Sequence, residues 1–487
     1  MREREGLARR LEAILGPGGV VREREQLRTY ESDGLASYRR VPALAVLPET
    51  ADQVRRTVEA CRDAGVPFVA RGAGTGLSGG ALPHEDGVLI VLSRMRRLLE
   101  VDIDNRRVVA EPGVANLSVT DAVAPHGLLY APDPSSQVVC SIGGNVAENS
   151  GGAHCLKYGF TTNHVTALEV VLADGGVVHL GGDGKSPDPP GYDLVGAFVG
   201  SEGTLGIATK VTLRVVPVPE AVRTLLAAFP GTDEAGGAVS DIIAAGIVPA
   251  AVEMMDPLAI EAAEAAVHAG YPSGAGAVLI VELDGPAAEV DQRFAEVEAV
   301  CRRNGSTEIR VARDEVERAL MWKGRKSAFA AMGRISPDYY VQDGVIPRTA
   351  LPEVLRQIEA MAAERGLRVA NVFHAGDGNL HPLVLYDGDV PGQAERAGEL
   401  AREILSACLA HGGSITGEHG VGEDKKHDMP KMFTQDDLNA MQLLRCAFDP
   451  EGRSNPGKVF PTPRLCGEVP GRYRRHPLEK AGVAERF

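Results

Sequence analysis

Two histidines, His374 and His381, stand seven positions apart in the segment Asn371–Tyr386, NVFHAGDGNLHPLVLY. The pattern predicts two strands joined at Asp377-Gly378, a dipeptide that strongly favours a two-residue hairpin turn. With these two residues at the centre of the turn, His374 would face His381 on one side of the sheet. Facing residues have Cβ atoms about 4.5–5.5 Å apart, so the two imidazoles could bind one metal ion.

Glu418 and His419 are adjacent in a second segment, the glycine-rich stretch 411–426. A carboxylate added to two imidazoles leaves open coordination positions, which is typical of a catalytic metal site. Such a set suits zinc, iron or manganese. Paired histidines on a strand are often ordinary packed polar residues, but the pair, the turn and the Glu-His loop together favour a divalent metal.

The composition is that of a large globular protein. The chain has 487 residues, of which 44% are hydrophobic and 24% charged. Its net charge of −15 argues against a nucleic-acid-binding role, which needs a basic surface. No apolar run approaches the roughly 20 residues of a transmembrane helix, and the charged N-terminus lacks a signal peptide's apolar core. We therefore expect a cytoplasmic protein, with peripheral attachment to the inner face of the membrane as an alternative.

The seven cysteines are scattered, odd in number and without a C-x-x-C pair. This usage is typical of reduced structural thiols in a reducing cytosol. It also leaves the chain without a recognisable iron–sulfur motif of its own.

Changes of pattern along the sequence predict four parts. Residues 1–40 are a helical lead-in, and residues 41–218 alternate short β-rich runs with glycine-rich turns. The stretch Val216–Pro219 marks the next boundary, because proline breaks both helix and sheet. Residues 219–461 alternate strands with helices, which predicts sheets covered by helices. Residues 462–487 are predicted to be a polar, loosely ordered tail.

Glycine is concentrated in three segments of the β-rich part. The first, Ala70–Ala81, contains a G-x-G-x-x-G match, but Pro83 and a strand-like run follow it instead of the helix that a Rossmann site requires. Its bare N–H groups, preceded by Arg71, can form a nest for phosphates. The other segments, Pro132–Val165 and Val199–Val215, would let the backbone approach a flat ligand. Three such segments indicate an extended cofactor.

Seven motifs occur in a characteristic order across residues 40–461: RGAGTGLSGGA, SIGGNVAENSGG, YG, GSEGTLGI, HAGDGNLH, GEHGVG and NPGKVFP. Together they resemble the FAD-linked oxidases and dehydrogenases of the vanillyl-alcohol oxidase superfamily, in the branch of the glycolate oxidase FAD subunit and the D-lactate and D-2-hydroxyglutarate dehydrogenases. The resemblance implies an α+β fold, with an N-terminal FAD-binding domain of two α+β subdomains and a C-terminal ferredoxin-like cap. FAD is expected to be non-covalent, since no histidine lies within residues 71–80.

The family's functional residues can be carried over position by position. The resemblance implies that His374, His381 and Glu418 bind a divalent metal, that His419 is the base, and that Arg325 holds the substrate carboxylate. Residues implied for FAD, with Arg71 to Ser78 at the pyrophosphate and Asn455 at the isoalloxazine, are Arg71, Gly72, Ala73, Gly74, Thr75, Gly76, Leu77, Ser78, Pro132, Asp133, Ser136, Ser141, Gly144, Asn145, Asn149, Gly151, Tyr158, Gly203, Ile207 and Asn455.

These residues predict oxidation of a small D-2-hydroxy acid, glycolate or D-lactate, to the 2-oxo acid. The metal would polarise the hydroxyl, His419 would take its proton, and hydride would pass to flavin N5. Leu383 stands where relatives that take dicarboxylates carry Asn, and Val341 and Gln342 stand where the family has a lysine that holds the substrate; both losses favour a small hydroxy acid.

Two other functions are alternatives: a metal-dependent hydrolase, and a non-catalytic flavin subunit of a larger redox complex. The sequence also leaves open the electron acceptor, which could be an iron–sulfur partner subunit, a quinone or a cytochrome. It leaves open the oligomeric state, with a homo-oligomer among the alternatives.

Overall fold

The computed structural model describes residues 2–182, 191–461 and 466. Its first sheet joins three parallel strands, with an antiparallel strand at one edge. Helix Ala51–Asp63 begins after Thr50, whose hydroxyl accepts the N–H of Gln53, and it buries Val54 and Val58 in the core beside this sheet. The strands in spatial order are Val20–Val21, Leu44–Val46, Val88–Val91 and Phe68–Arg71, and the helices are Arg2–Leu15, Arg24–Leu27 and Ala51–Asp63.

The second sheet is antiparallel, and the strand Ile207–Arg214 is its centre. Residues 72–87, which connect the strands Phe68–Arg71 and Val88–Val91 of the first sheet, contain no helix, which agrees with our exclusion of a Rossmann site. The strands in order are Leu98–Asp102, Arg107–Ala110, Ile207–Arg214, Val165–Val171 and Val177–Leu180; a small ladder pairs Leu128–Leu129 with Val216–Pro217; the helices are Asn116–Val123, Ile142–Glu148, Cys155–Tyr158 and Leu194–Phe198.

The third sheet belongs to the cap and starts with a ferredoxin-like arrangement. Four antiparallel strands lie in the spatial order fourth, first, third, second along the chain, as predicted. They are Glu308–Val311, Ala221–Phe229, Ala277–Gly285 and Ala251–Met255, and the sheet continues through Arg368–His374, Pro382–Tyr386 and Asp338–Val341, with short strands Asn379–Leu380 and Gly344–Val345 at its side.

Helices cover both faces of the cap sheet, because successive strand residues alternate between two cores. Leu225 and Ala227 face one core, and Leu226 and Ala228 face the other. The first core contains Thr232–Ala244, Ala287–Arg303, Leu351–Glu364 and Gln393–Ala410; the second contains Pro257–Val267 and Glu315–Ala331; Met429–Met432 and Gln435–Phe448 follow the cap.

The histidine hairpin has a different register from the predicted one. His374 pairs with Asn379 rather than with His381, so the turn contains four residues instead of two. The side chain of Asp377 accepts the N–H of Asn379 at 3.2 Å, and Gly378 has a φ of +79°. Because the register differs by an even number of positions, His381 stays on the same face as His374.

Cys446 and Cys466 form a disulfide, so the expectation of reduced thiols is wrong for this pair. Their scattered spacing carried no signal, since only the fold brings the end of the last helix beside the tail. The other five cysteines are buried free thiols. The rest of the predicted tail lies outside the described residues.

Within the described ranges, no helix has both the length and the apolarity to cross a membrane.

Candidate active site

His374, His381 and Glu418 converge at one point. The Nε2 atoms of the two histidines lie 3.3 Å and 3.2 Å from the same oxygen, Oε1 of Glu418. The candidate ligand atoms all lie within 4.8 Å of one another. The two imidazole rings meet edge to face, with centroids 5.1 Å apart. Three donors around one point fit a divalent cation, with positions left for a substrate.

His381 gives the clearest indication that a cation belongs here. Both of its ring nitrogens are buried; Nδ1 has no hydrogen-bond partner among the described residues, and Nε2 faces only Glu418, at 3.2 Å and without the geometry of a hydrogen bond. An unpaired buried polar atom costs about 1–3 kcal/mol, so such atoms are rare. His374 differs, because its Nδ1 lies 2.7 Å from Glu253 and its Nε2 therefore faces Glu418. A carboxylate behind a histidine in this way is the usual support of a metal ligand.

Glu253 connects His374 to Arg325 inside the cap. Its Oε2 lies 2.6 Å from Nη2 of Arg325, although this contact lacks the geometry of a hydrogen bond. Both side chains are at most 2% exposed. Burial alone would lower the pKa of His374, but the carboxylates of Glu253 and Glu418 raise it well above its usual value. Arg325 thus lies behind the candidate metal ligands, and its Nε also has no acceptor among the described residues.

His419 stacks on His381, with ring centroids 5.0 Å apart and planes 5° apart. Its Nδ1 lies 3.5 Å from Asp343, and its Nε2 lies 4.0 Å from Glu418. The nearby Asp343 carboxylate favours a proton on Nδ1, which leaves the Nε2 lone pair free. Burial lowers the pKa of His419 to about 4, so the imidazole is neutral at neutral pH. A neutral imidazole beside metal ligands can accept a proton.

The segment Thr416–Gly422, which we call the catalytic loop, is held by Asp343. This carboxylate accepts the backbone N–H groups of three successive residues, Gly417–His419, and the hydroxyl of Thr416. Asp343 is fully buried. It therefore fixes both a candidate metal ligand and the candidate base, and the sequence analysis did not single it out.

Glu202 holds the other end of the catalytic loop from the N-terminal domain. Its carboxylate accepts the N–H groups of Val421 and Gly422, both at 2.6 Å. Glu202 is the only acidic residue in the third glycine-rich segment, which was a usable signal in the sequence. The loop that carries the cap's chemistry is therefore fastened to the N-terminal domain.

A cavity of about 730 Å³ connects the first glycine-rich segment with this site. Gly72–Leu77 line one part of it, and His381, Glu418 and His419 line another. A smaller cavity of about 70 Å³ adjoins the glycine-rich segments. Thirteen of the residues predicted to bind FAD line one or both cavities: Arg71, Gly72, Ala73, Gly74, Thr75, Gly76, Leu77, Ser136, Ser141, Gly144, Asn145, Gly203 and Ile207.

The other seven predicted FAD residues line neither cavity: Ser78, Pro132, Asp133, Asn149, Gly151, Tyr158 and Asn455. Several of them support the walls instead. Asp133 lies 2.9 Å from Nδ1 of His154, and the Tyr158 hydroxyl donates to Asp284 at 2.6 Å. The Asn455 amide donates to the carbonyls of Gly80 and Glu202, so it ties two glycine-rich segments together.

The glycine-rich segments fit an extended nucleotide cofactor. A Cβ at Gly72 would lie 2.1 Å from Oγ of Ser141, and Gly74 has a φ of +74°. A Cβ at Gly151 would lie 2.7 Å from the carboxylate of Glu418. Side chains at these positions would therefore clash with their neighbours or strain the backbone. Glycine instead leaves backbone N–H groups exposed in the cavity wall.

Two wall elements were missed by the sequence analysis. Residues 34–37 and Arg39, within the predicted lead-in, line the cavity, and Arg40 binds Glu423 just after the catalytic loop at 3.0 Å. Helix Glu315–Ala331 contributes the wall residues Lys326, Phe329 and Ala330.

Of the three residues at positions read as lost polar contacts, Leu383, Val341 and Gln342, only Val341 lines the cavity. Leu383 is fully buried in the cap core, so it does not shape the substrate space.

Comparisons with known proteins agree with this fold. A family model described as "FAD binding domain" matches residues 42–181, and one described as "FAD linked oxidases, C-terminal domain" matches residues 218–459. The chain is 50% identical to glycolate oxidase subunit GlcD of Escherichia coli K12, over 95% of this chain and 92% of that protein. It is 32% identical to D-lactate dehydrogenase of Archaeoglobus fulgidus, over 85% and 91%.

Solved structures show the same fold at low sequence identity. p-Cresol methylhydroxylase with bound substrate superposes with a TM-score of 0.80 at 18% identity, over 94% of this chain and 97% of that one. 4-Ethylphenol oxidase from Gulosibacter chungangensis gives 0.79 at 18%, over 95% and 98%.

The pairing of an FAD-binding domain with a ferredoxin-like cap defines an FAD-linked oxidoreductase. The family resemblance found in the sequence is confirmed. The chain belongs to the FAD-linked oxidase family that includes the glycolate oxidase subunit GlcD.

Proposed function

We propose that this protein oxidises a small D-2-hydroxy acid, with glycolate and D-lactate as first candidates, to the 2-oxo acid. The observation that carries the proposal is that His381, Glu418 and His419 face the same cavity as the glycine-rich segments. The names of the relatives, glycolate oxidase subunit and D-lactate dehydrogenase, support the same substrate class.

The cavity walls suit FAD at one end and a divalent cation at the other. Arg71–Leu77 and Gly144 would hold the nucleotide, and His374, His381 and Glu418 would hold the cation. When bound, FAD supplies the electron acceptor and the cation supplies a Lewis acid that lowers the pKa of a coordinated hydroxyl.

His419 is the proposed base. Its neutral ring lies against His381, and Asp343 favours the tautomer whose Nε2 can take the substrate hydroxyl proton. A base placed in this way contributes about 10²–10⁴-fold to the rate. The hydrogen bonds of the catalytic loop to Asp343 would keep Nε2 in place during the transfer.

Arg325 is the proposed partner of the substrate carboxylate, a role that rests on its family position. Its buried Nε makes no hydrogen bond with the described residues, which supports the proposal. Its ion-pair partner is Glu253, and the cavity wall is formed by the next residue, Lys326. Loss of the carboxylate contact in Arg325→Lys would raise KM while the metal content stays constant.

The direct test is anaerobic titration of the FAD-loaded protein with a panel of hydroxy acids, followed by flavin absorbance. We expect glycolate or D-lactate to bleach the flavin, and the L-enantiomer of lactate to leave it oxidised. A flavin that no hydroxy acid reduces would contradict the proposal and favour a non-catalytic subunit. An iron–sulfur partner subunit, a quinone or a cytochrome as the final acceptor stays a prediction, which reoxidation assays with each acceptor would decide.

A further inference from the structure

The helix Glu315–Ala331 presents one face to the cavity. Lys326, Phe329 and Ala330 line it, at the i, i+3 and i+4 spacing of a single helical face. Arg325, four positions before Phe329, and Ala328 lie on the adjoining flank of the same helix and are buried in the cap. The cavity wall at this point is therefore set by three side chains, of which Phe329 is the only large apolar one.

Phe329 is the wall residue that contacts a metal-site histidine. Its ring lies edge to face with that of His381, with centroids 5.8 Å apart and planes at 62°. The phenyl group is only partly buried and lines the cavity. A substrate bound at His381 and Glu418 that extends towards this helix would meet the phenyl ring.

Both cationic residues that line this cavity in the described structure, Lys326 and Arg39, already face a carboxylate; Nη1 of Arg39 lies 3.7 Å from Glu31. Val341, Tyr339 and Tyr386 line the cavity from the neighbouring strands. Lys326 lies on the helical turn before Phe329, but its Nζ is already 3.6 Å from Asp133. A charged or long substrate side chain would be placed against aromatic and apolar surface.

We propose that Phe329 limits the length of the substrate side chain, so that the site accepts hydrogen or methyl on the hydroxy-bearing carbon and rejects longer chains. This inference rests on the proposed function and adds that the site selects substrates by the length of the side chain on the hydroxy-bearing carbon. Removing the phenyl ring opens space beside the metal site while leaving every proposed ligand in place. A single methylene that no longer clashes changes discrimination by about 10-fold or more.

The test compares the wild-type holoenzyme with Phe329→Ala. Values of kcat/KM are measured for glycolate, D-lactate, D-2-hydroxybutyrate and D-2-hydroxyvalerate. Binding of pyruvate and 2-oxovalerate is measured by calorimetry, because these products bind without turnover. We expect the kcat/KM ratio of D-2-hydroxyvalerate to glycolate to rise at least about 10-fold, and 2-oxovalerate to bind more tightly than it does to wild type.

Phe448→Ala is the matched control, since Phe448 is another half-buried phenylalanine and does not line the described cavities. It should leave both ratios unchanged. Phe329→Leu, which keeps part of the apolar packing, should give intermediate ratios, so the test stands even if the alanine variant does not fold. Unchanged chain-length profiles in Phe329→Leu or Phe329→Ala would overturn the inference. A wild-type flavin that neither glycolate nor D-lactate reduces would instead refute the proposed function.

Discussion

At the residue scale, His381 is the side chain whose buried ring nitrogens most clearly need a further partner. Nδ1 has no hydrogen-bond partner in the described structure, and Nε2 faces only the Glu418 carboxylate without the geometry of a hydrogen bond, although most buried polar groups are paired. The sequence analysis predicted that His381 lies close to His374, but it did not predict which residues pair across the hairpin. The dipeptide Asp377-Gly378 predicted a two-residue turn. The observed turn is longer, and the Asp377 side chain stabilises it by accepting the N–H of Asn379. The two histidines still lie on one face of the sheet, because the registers differ by an even number of positions.

His381→Ala should abolish stable metal binding and lower flavin reduction at least about 100-fold, since the Lewis acid contributes several kcal/mol. FAD should remain bound, because the glycine-rich segments are untouched. Elemental analysis and flavin absorbance of the same sample measure both. His126→Ala, at an exposed histidine elsewhere, is the control. Unchanged metal content in His381→Ala would argue against the site.

His419→Gln should keep both FAD and metal but slow single-turnover flavin reduction by about 10²–10⁴-fold, because a proton acceptor is lost. Stopped-flow absorbance under anaerobic conditions measures the rate. Reduction at the wild-type rate would remove His419 from the role of base and leave it as a packing partner of His381.

At the element scale, the catalytic loop owes its shape to two carboxylates outside it. Asp343 is 74 to 76 positions from the N–H groups that it accepts, and Glu202 is 219 or 220 from its own. The sequence could identify the Glu-His pair because both residues are adjacent in a glycine-rich run. It could not identify the carboxylates that hold the loop, since only the folded chain brings them together.

Asp343→Asn should loosen the catalytic loop, because an amide NH₂ would face backbone N–H groups that need an acceptor. We expect metal affinity to fall about 10–100-fold, the usual effect of losing a residue that supports metal ligands. Competition with a chelator measures this affinity. Asp389→Asn, in an exposed turn, should behave like wild type. Equal chelator resistance in Asp343→Asn and wild type would show that the loop keeps its shape without the carboxylate.

At the scale of the whole molecule, the two domains meet through a charged cluster around His154. Its ring nitrogens lie 2.9 Å from Asp133 in the N-terminal domain and 3.2 Å from Glu282 in the cap. Burial alone would lower the pKa of His154, but these two carboxylates raise it to about 10. The order of motifs predicted both domains, yet it contained no sign of this interface or of the wall formed by residues 34–39.

His154→Gln should destabilise the protein in a pH-dependent way. A histidine whose pKa rises from 6.5 to about 10 on folding adds stability that is complete below pH 6.5 and is lost as the pH rises through 10. The variant should be about 3 kcal/mol less stable than wild type at pH 6.5 and close to wild type above pH 10, as measured by urea unfolding. The same difference at both pH values would mean that His154 contributes packing and not charge.

Glu202 accepts two N–H groups of the catalytic loop, and Gly151 lies close to the Glu418 carboxylate. These contacts limit how the two halves of the chain can be exchanged between related proteins. Nucleotide-binding half and cap are not interchangeable modules, because each completes the other's chemistry. A hybrid enzyme assembled from two relatives would keep an active site only if both parents have a glutamate at the position of Glu202 and a glycine at the position of Gly151. Recombination at the boundary between the halves is therefore constrained by contacts between residues on opposite sides of it.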